Sequence, residues 1–172
     1  MTPSRRELLL GWAERLKTAA PALALGALPG GALAGRALAA EPSDADQLER
    51  LLGLERGLAA AYEGALARDA IEPALGKLLL GHEREHIRGL EQALGHARPQ
   101  ATAPAPKVGV DFASRRAFAR SALQLEREAV DTYQDVLTGF HNDKLLQPLG
   151  SIMACGVQHE VALRQVLGED LL

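Results

Sequence analysis

Apolar residues recur at helical spacing along most of the chain, and breaks in that pattern separate four amphipathic segments. Ser43 or Asp44 suits the N-cap of the first segment, and Pro73 suits the first turn of the second, where a missing N–H has no cost. Gly95 follows the second segment, as expected of a helix terminator. The pattern predicts an all-α chain with helices over about residues 43–70, 73–94, 112–137 and 145–167.

The connections between these helices are short, long and short. Residues 97–111 contain three prolines, which exclude a helix there. Fully extended, this segment reaches about 45–50 Å at roughly 3.3 Å per residue, which is enough to run the length of a helix. The sequence therefore predicts a four-helix bundle of two antiparallel hairpins joined by a long crossover. Few aromatic residues, 3% of the chain, also favour helices over sheets.

The first forty residues differ from the rest. Arg5 and Arg6 begin a basic segment that ends at Lys17, an uncharged Ala/Leu/Gly-rich run follows over 18–35, and Ala37-Leu38-Ala39 offers a cleavage site. This order predicts an export signal over residues 1–40, of the twin-arginine type, and a mature bundle over 41–172 in the periplasm, the cell envelope or the medium. Prolines and glycines interrupt the apolar run, which argues against a lasting membrane span. An Ala-rich cytosolic extension is the alternative.

Charge is divided unevenly along the chain. The whole chain carries −3, whereas residues 1–40 have five basic and two acidic groups, which leaves −6 for the remainder. So acidic a domain is a poor nucleic-acid binder, and no such partner is expected. The single cysteine, Cys155, excludes an internal disulfide. The sequence predicts no particular oligomeric state.

The chemistry is concentrated in His82-Glu83-Arg84-Glu85-His86, within the second predicted helix. As His-Glu-x-x-His, these residues match the zinc-peptidase pattern, with His82 and His86 as ligands and Glu83 as general base. As Glu83-x-x-His86, they match half of the site with which helix bundles hold two iron or manganese ions.

An internal repeat favours the second interpretation. Leu54-Glu55-Arg56 with Tyr62 and Leu66 corresponds at a constant shift to Leu125-Glu126-Arg127 with Tyr133 and Leu137. His86, Leu90, Gln92, Leu94 and Gly95 correspond likewise to His159, Leu163, Gln165, Leu167 and Gly168. The two hairpins therefore look like copies of one another.

Five polar residues interrupt the apolar stripes of the four helices: Glu55, Glu83, His86, Glu126 and His159. All five are expected to point into the bundle core. An ionised carboxylate buried without a partner costs several kcal/mol, so three glutamates there require protons, basic partners or a metal. Two histidines at the same level make metal the preferred explanation.

With these residues, positions 45–168 resemble the ferritin-like proteins of the exported bacterial kind. In that superfamily one Glu from each of the first and third helices joins a Glu-x-x-His from each of the second and fourth, and together they hold two metal ions. The resemblance implies Glu55 and Glu126 as the single carboxylates, Glu83 with His86 as the first motif, and His159 in the second. It implies iron or manganese as cofactor and a di-iron-carboxylate type of redox chemistry with oxygen or peroxide.

The chain departs from that pattern at Gly156, where the second motif should have its glutamate. One ion is therefore expected to bind tightly through Glu55, Glu83 and His86, and the second weakly or not at all. Cys155 is either a thiolate ligand or a packing residue. A ferritin-like structural or partner-binding module with a degenerate site stays an alternative. The peptidase alternative needs a third zinc ligand, for which Glu126 is the candidate.

Residues around the motif are given simpler roles. The hydroxyls of Tyr62 and Tyr133 are expected to find partners near the carboxylates. His82 is expected to be an ordinary flanking residue, and Glu160 to be solvated. Outward-facing positions are also expected for Glu85, His96 and His141.

Overall fold

The computed structural model describes residues 42–95 and 109–169, which form four α-helices. These are α1 (Asp44–Ala67), α2 (Pro73–Leu94), α3 (Arg115–Thr138) and α4 (Asp143–Leu167). The all-α prediction is confirmed, with helix ends shifted by up to three residues. The expected export signal and most of the Pro-rich connection, with His96, lie outside the described residues. No helix in the described part is long and apolar enough to cross a membrane.

Side-chain caps fix where the helices begin. Ser43 forms a capping box with Asp46 at the start of α1, and Glu72 accepts backbone hydrogen bonds at the start of α2, just before Pro73. The third helix begins three residues later than predicted, because the Ser114 side chain caps it and Asp111 instead binds the backbone N–H of Ala113 in a turn.

The helices pack as two hairpins. Contacts are most extensive between α1 and α2 and between α3 and α4, whereas α1 with α3, and to a smaller extent α2 with α4, join the hairpins. Two buried apolar clusters fill the core. The Phe118 cluster includes Leu58, Leu79, Phe118 and Leu163, and the Tyr133 cluster includes Leu51, Leu90, Tyr133 and Leu149.

The order of these clusters along each helix gives the topology. The Tyr133 cluster comes first in α1 and α4, and the Phe118 cluster comes first in α2 and α3. Each hairpin is therefore antiparallel, while α2 and α3 run in the same direction. The chain leaves α2 at one end of the bundle and enters α3 at the other, so the predicted crossover is confirmed.

Candidate metal centre

A polar layer separates the two apolar clusters. In α1, α2 and α4 the predicted site residues lie between the residues of the Phe118 cluster and those of the Tyr133 cluster. In α3, Glu126 lies between Leu123 and Ala129, near the end of the Phe118 cluster and before Tyr133. Their exposed fractions are 2% for Glu55, 1% for Glu83, 1% for Glu126 and 2% for His159, and the His86 side chain is 11% exposed. All five predicted ligands therefore meet in the core, as their positions on the apolar stripes indicated.

Two tyrosines support the single carboxylates from the opposite hairpin. The Tyr133 hydroxyl of α3 donates to Glu55 Oε1 of α1 at 2.7 Å. In the matching contact, the Tyr62 hydroxyl of α1 donates to Glu126 Oε1 of α3 at 2.5 Å. The pair reproduces the sequence repeat as a local two-fold arrangement, and both hydroxyls have the partners expected for them.

The three carboxylates form two triads with the histidines. In the first, His86 Nδ1 lies 3.1 Å from Glu55 Oε2 and 3.4 Å from Glu83 Oε2. In the second, His159 Nδ1 lies 3.0 Å from Glu83 Oε1 and 3.1 Å from Glu126 Oε1. Ligand atoms within each triad lie within 4.8 Å of one another. Glu83 belongs to both triads, with one oxygen facing each.

The surroundings of the Glu83 carboxylate indicate whether a cation fits this layer. Both of its oxygens are fully buried, and neither has a hydrogen-bond partner, although ring nitrogens lie nearby. Buried polar atoms of this kind ordinarily have partners. A cavity of about 10 Å³, roughly one water-sized sphere, adjoins it. Its polar lining comes from Glu55, Glu83, His86 and Glu126. The donor set and the space both suit a hard divalent cation with oxygen and imidazole ligands.

The pKa values of the histidines and of Glu83 in the polar layer are strongly shifted. Burial opposes a charge on His86, but contacts with Cys155, Glu55 and Glu83 outweigh it and raise its pKa to about 12. The pKa of His159 rises to about 12 likewise, because Cys155, Glu126 and Glu83 outweigh burial. These two rings overcome the burial of Glu83 and hold the pKa of that carboxyl well below its usual range.

The pKa values of the two single carboxylates, Glu55 and Glu126, are raised, in contrast to that of Glu83. Burial raises the pKa of Glu55 to about 8, with the His86 contact opposing it. Burial raises the pKa of Glu126 in the same way, against the contact with His159. Without metal, the layer therefore holds protons on both rings and favours them on the outer carboxyls. Any bound cation has to displace some of these protons.

Gly156 lines the cavity, at the position where the repeat lacks its second glutamate. A Cβ there would lie 3.1 Å from Val130 Cγ2 and 3.7 Å from Glu126 Oε2. The position thus faces the second triad, and it contributes no ligand. That the second triad binds its ion more weakly than the first stays a prediction.

His82 does not behave as the simple flanking residue that the sequence indicated. Its Nδ1 lies 2.9 Å from His159 Nε2, and Cys155 Sγ lies 3.4 Å from the same His159 atom. A usable signal was present in the sequence, since Cys155 precedes His159 by one helical turn and His82 occupies the repeat position equivalent to Cys155. Burial raises the pKa of the Cys155 thiol, but the His159 and His86 contacts outweigh it and lower the value to about 7.

Glu160 also departs from expectation. Instead of being solvated it is 9% exposed, because two arginines cover it. Its Oε2 accepts from Arg127 at 3.4 Å and from Arg164 at 3.1 Å. Arg127 therefore pairs with Glu160 of α4 and not with its sequence neighbour Glu126. Glu85 and His141 are exposed, also as predicted.

The peptidase arrangement requires His82 and His86 to share one ion. Here His86 Nδ1 faces Glu55 and Glu83, whereas His82 Nδ1 faces His159. Glu83 is buried between two rings rather than open to a substrate-bound water. The layer resembles a dinuclear carboxylate site more closely than a peptidase site.

Comparison with known proteins agrees with this architecture. No curated protein and no solved structure gives a significant match to the chain. A family model described as a ferritin-like domain matches residues 43–169, which include all four helices and every residue of the polar layer. The chain therefore belongs to the ferritin-like domain family.

Proposed function

We propose that the protein binds iron or manganese in the polar layer, with one ion held tightly by Glu55, Glu83 and His86. The observation that carries this proposal is the Glu83 carboxylate, which is 1% exposed, makes no well-aligned hydrogen bond, and faces one histidine of each triad. Three carboxylates and two imidazoles are hard to intermediate ligands, which suit these two metals. Bound iron or manganese would supply one-electron chemistry with oxygen or peroxide.

The chain's own residues prepare the first triad for a cation. Tyr133 donates to Glu55 Oε1 and leaves Oε2 directed at His86. The apolar clusters on both sides keep water away from the layer, which strengthens the attraction between a cation and the carboxylates. In the second triad Glu126 and His159 share Glu83 with the first, and Gly156 supplies nothing.

Metal analysis of protein purified from cells supplied with iron and manganese tests the proposal. We expect about one tightly held ion per chain, since the second triad lacks its glutamate. Glu83→Gln should abolish this binding, because it removes charge from both triads. Glu85→Gln is the matched control, because Glu85 lies on the same helix but is exposed. Equal metal content in the two variants would contradict the proposal and leave a structural or partner-binding module.

Two tightly held iron or manganese ions per chain in the unaltered protein would disprove only the stoichiometry. Oxidation of ferrous iron and consumption of peroxide should then be followed with the loaded protein, and the same Glu83→Gln and Glu85→Gln pair separates specific activity from adventitious iron.

We also propose that residues 1–40 direct export through the twin-arginine route. The support is the order of the Arg5-Arg6 pair, the uncharged run and the Ala37-Leu38-Ala39 site. Replacing Arg5 and Arg6 together by lysine keeps the charge and should hold the protein in the cytoplasm. An unchanged location on cell fractionation would contradict the twin-arginine assignment.

A further inference from the structure

A second group of metal-binding atoms lies beside the polar layer, between α2 and α4. It consists of His82 Nδ1, Cys155 Sγ and His159 Nε2, which all lie within 4.8 Å of one another. The three edges of this triangle are 2.9 Å between the two nitrogens, 3.4 Å from sulfur to His159 and 3.6 Å from sulfur to His82. None of these atoms is a carboxylate oxygen, so the group differs chemically from the triads of the core.

The triangle has nearly the dimensions of a tetrahedral zinc site. Zinc bonds of about 2.0–2.1 Å to nitrogen and about 2.3 Å to sulfur place two ligand nitrogens about 3.3 Å apart and nitrogen about 3.6 Å from sulfur. Both nitrogen–sulfur edges already match these values. The nitrogen–nitrogen edge would have to open by about 0.4 Å, which a small rotation of the half-buried His82 ring can supply.

His159 is oriented for this role by the core. Its Nδ1 lies 3.1 Å from Glu126 Oε1, so once a metal displaces the Nε2 proton, Nδ1 keeps its own proton for Glu126 and Nε2 faces His82 and Cys155. A histidine that donates one ring N–H to a carboxylate while binding metal through the other nitrogen is the usual arrangement in zinc sites. When His159 binds an ion through Nε2 together with His82 and Cys155, it does not act as the metal ligand of the second core triad.

The helices also suit a bridging ion. Cys155 and His159 are one turn apart on α4, and His82 reaches them from α2, with which α4 makes far fewer contacts than with α3. Cys155 and His82 are half-buried, so solvent can supply a fourth ligand and a path of entry. His82 and Cys155 are 73 positions apart, as are His86 and His159, so the two ligands occupy equivalent positions of the repeat.

We propose that His82, Cys155 and His159 form a second metal site, which takes a thiophilic divalent ion such as Zn²⁺ and joins α2 to α4. The thiolate selects against the hard ions favoured by the core, so the two sites differ in metal preference. This inference does not depend on iron or manganese binding by Glu55, Glu83 and His86.

Cobalt titration of the reduced protein tests the site. Co²⁺ bound to a thiolate gives a sulfur-to-metal charge-transfer band, and Cys155 is the only cysteine in the chain. In the Glu55→Gln variant, whose core site no longer competes for the ion, we expect this band to saturate at one equivalent of Co²⁺ and to disappear on addition of Zn²⁺. Cys155→Ser should abolish it, and His82→Ala should weaken Zn²⁺ binding by more than about 100-fold, beyond the usual effect of losing an outer-shell partner.

Two variants provide controls. His141→Ala removes an exposed histidine and should change nothing, and Glu55→Gln should impair iron or manganese binding while leaving the cobalt–thiolate band intact. Absence of the band at one equivalent of Co²⁺, or an unchanged Zn²⁺ affinity in His82→Ala, would overturn the proposal. Iron content should be unaffected in Cys155→Ser, so failure of one site is distinguishable from failure of the other.

A measurement on the unaltered protein avoids any effect of substitution on folding. Bound Zn²⁺ should slow alkylation of Cys155 by at least about tenfold, because the reactive thiolate is then a ligand. Equal alkylation rates with and without Zn²⁺ would also overturn the proposal.

Discussion

The three carboxylates of the polar layer are in two different electrostatic states, although all of them are almost fully buried. Glu83 lies between two imidazoles, which hold its pKa down against the effect of burial. Glu55 and Glu126 each have one imidazole and one tyrosine hydroxyl, and burial prevails, so their pKa values rise. The permanent negative charge therefore sits on the shared residue, at the centre of the two triads.

Removing the Tyr133 hydroxyl should destabilise the metal-free protein. In Tyr133→Phe the ring still fills the core, but Glu55 Oε1 loses its donor in a buried position. We expect a loss of about 1–3 kcal/mol in the free energy of unfolding, measured with a chemical denaturant. Tyr62→Phe is the matched variant, because its hydroxyl makes the equivalent contact with Glu126. Losses below about 0.5 kcal/mol in both variants, the range of ordinary surface changes, would show that these contacts contribute little.

At the scale of single helices, α4 is the element in which the repeat has diverged. It keeps His159 at the position of His86, but carries Gly156 and Cys155 where α2 has Glu83 and His82. The glycine opens space beside Glu126 and Val130, and the cysteine faces two histidines. The same backbone geometry thus presents hard ligands from α2 and a soft ligand from α4.

Restoring the missing carboxylate should strengthen the second triad. Gly156→Glu places an acid one turn before His159, and metal analysis should find about two tightly held iron or manganese ions per chain instead of one. Gly156→Ala is the control, since it introduces the same Cβ, 3.1 Å from Val130 Cγ2, without a ligand. If both variants hold the same amount of metal, the missing glutamate is not what limits the second triad. Adding Val130→Ala should relieve the contact if Gly156→Glu folds poorly.

At the scale of the whole molecule, the two hairpins are held together around a charged layer that is shielded on both sides. Opposite helices exchange tyrosine–glutamate contacts across the hairpins, and the histidines link α2 to α1 and α4 to α3. Because the bundle buries this layer, protons rather than solvent balance its charges when no metal is bound.

Metal binding should therefore release protons and become tighter as pH rises. His86 has its pKa raised to about 12, so its ring is protonated at neutral pH and Nδ1 must lose a proton to bind an ion. Glu55, with a pKa raised to about 8, adds a second titrating group, and affinity should increase by about tenfold per pH unit for each proton released. Calorimetry at pH 7 in buffers of different ionisation enthalpy measures this release. A binding enthalpy that is independent of the buffer would contradict it.

The sequence by itself determined the four helices, their hairpin pairing and the five residues of the polar layer. These follow from local physics, because helical periodicity and a duplicated pattern place side chains on a face without reference to distant contacts. Glu55, Glu83, His86, Glu126 and His159 all interrupt apolar stripes, so their burial could be predicted from spacing alone. The absence of a ligand at position 156 was likewise visible in the repeat.

Only the tertiary structure decided which atoms meet. The rotation of α2 against α4 brings His82 to His159 and Cys155, and covering arginines bury Glu160. Neither the His82 contacts nor the burial of Glu160 follows from spacing along one helix. Each depends on the position of a side chain that comes from another helix. The charge of each carboxylate is decided at this level too, since it depends on how many imidazoles the packing places within hydrogen-bonding distance.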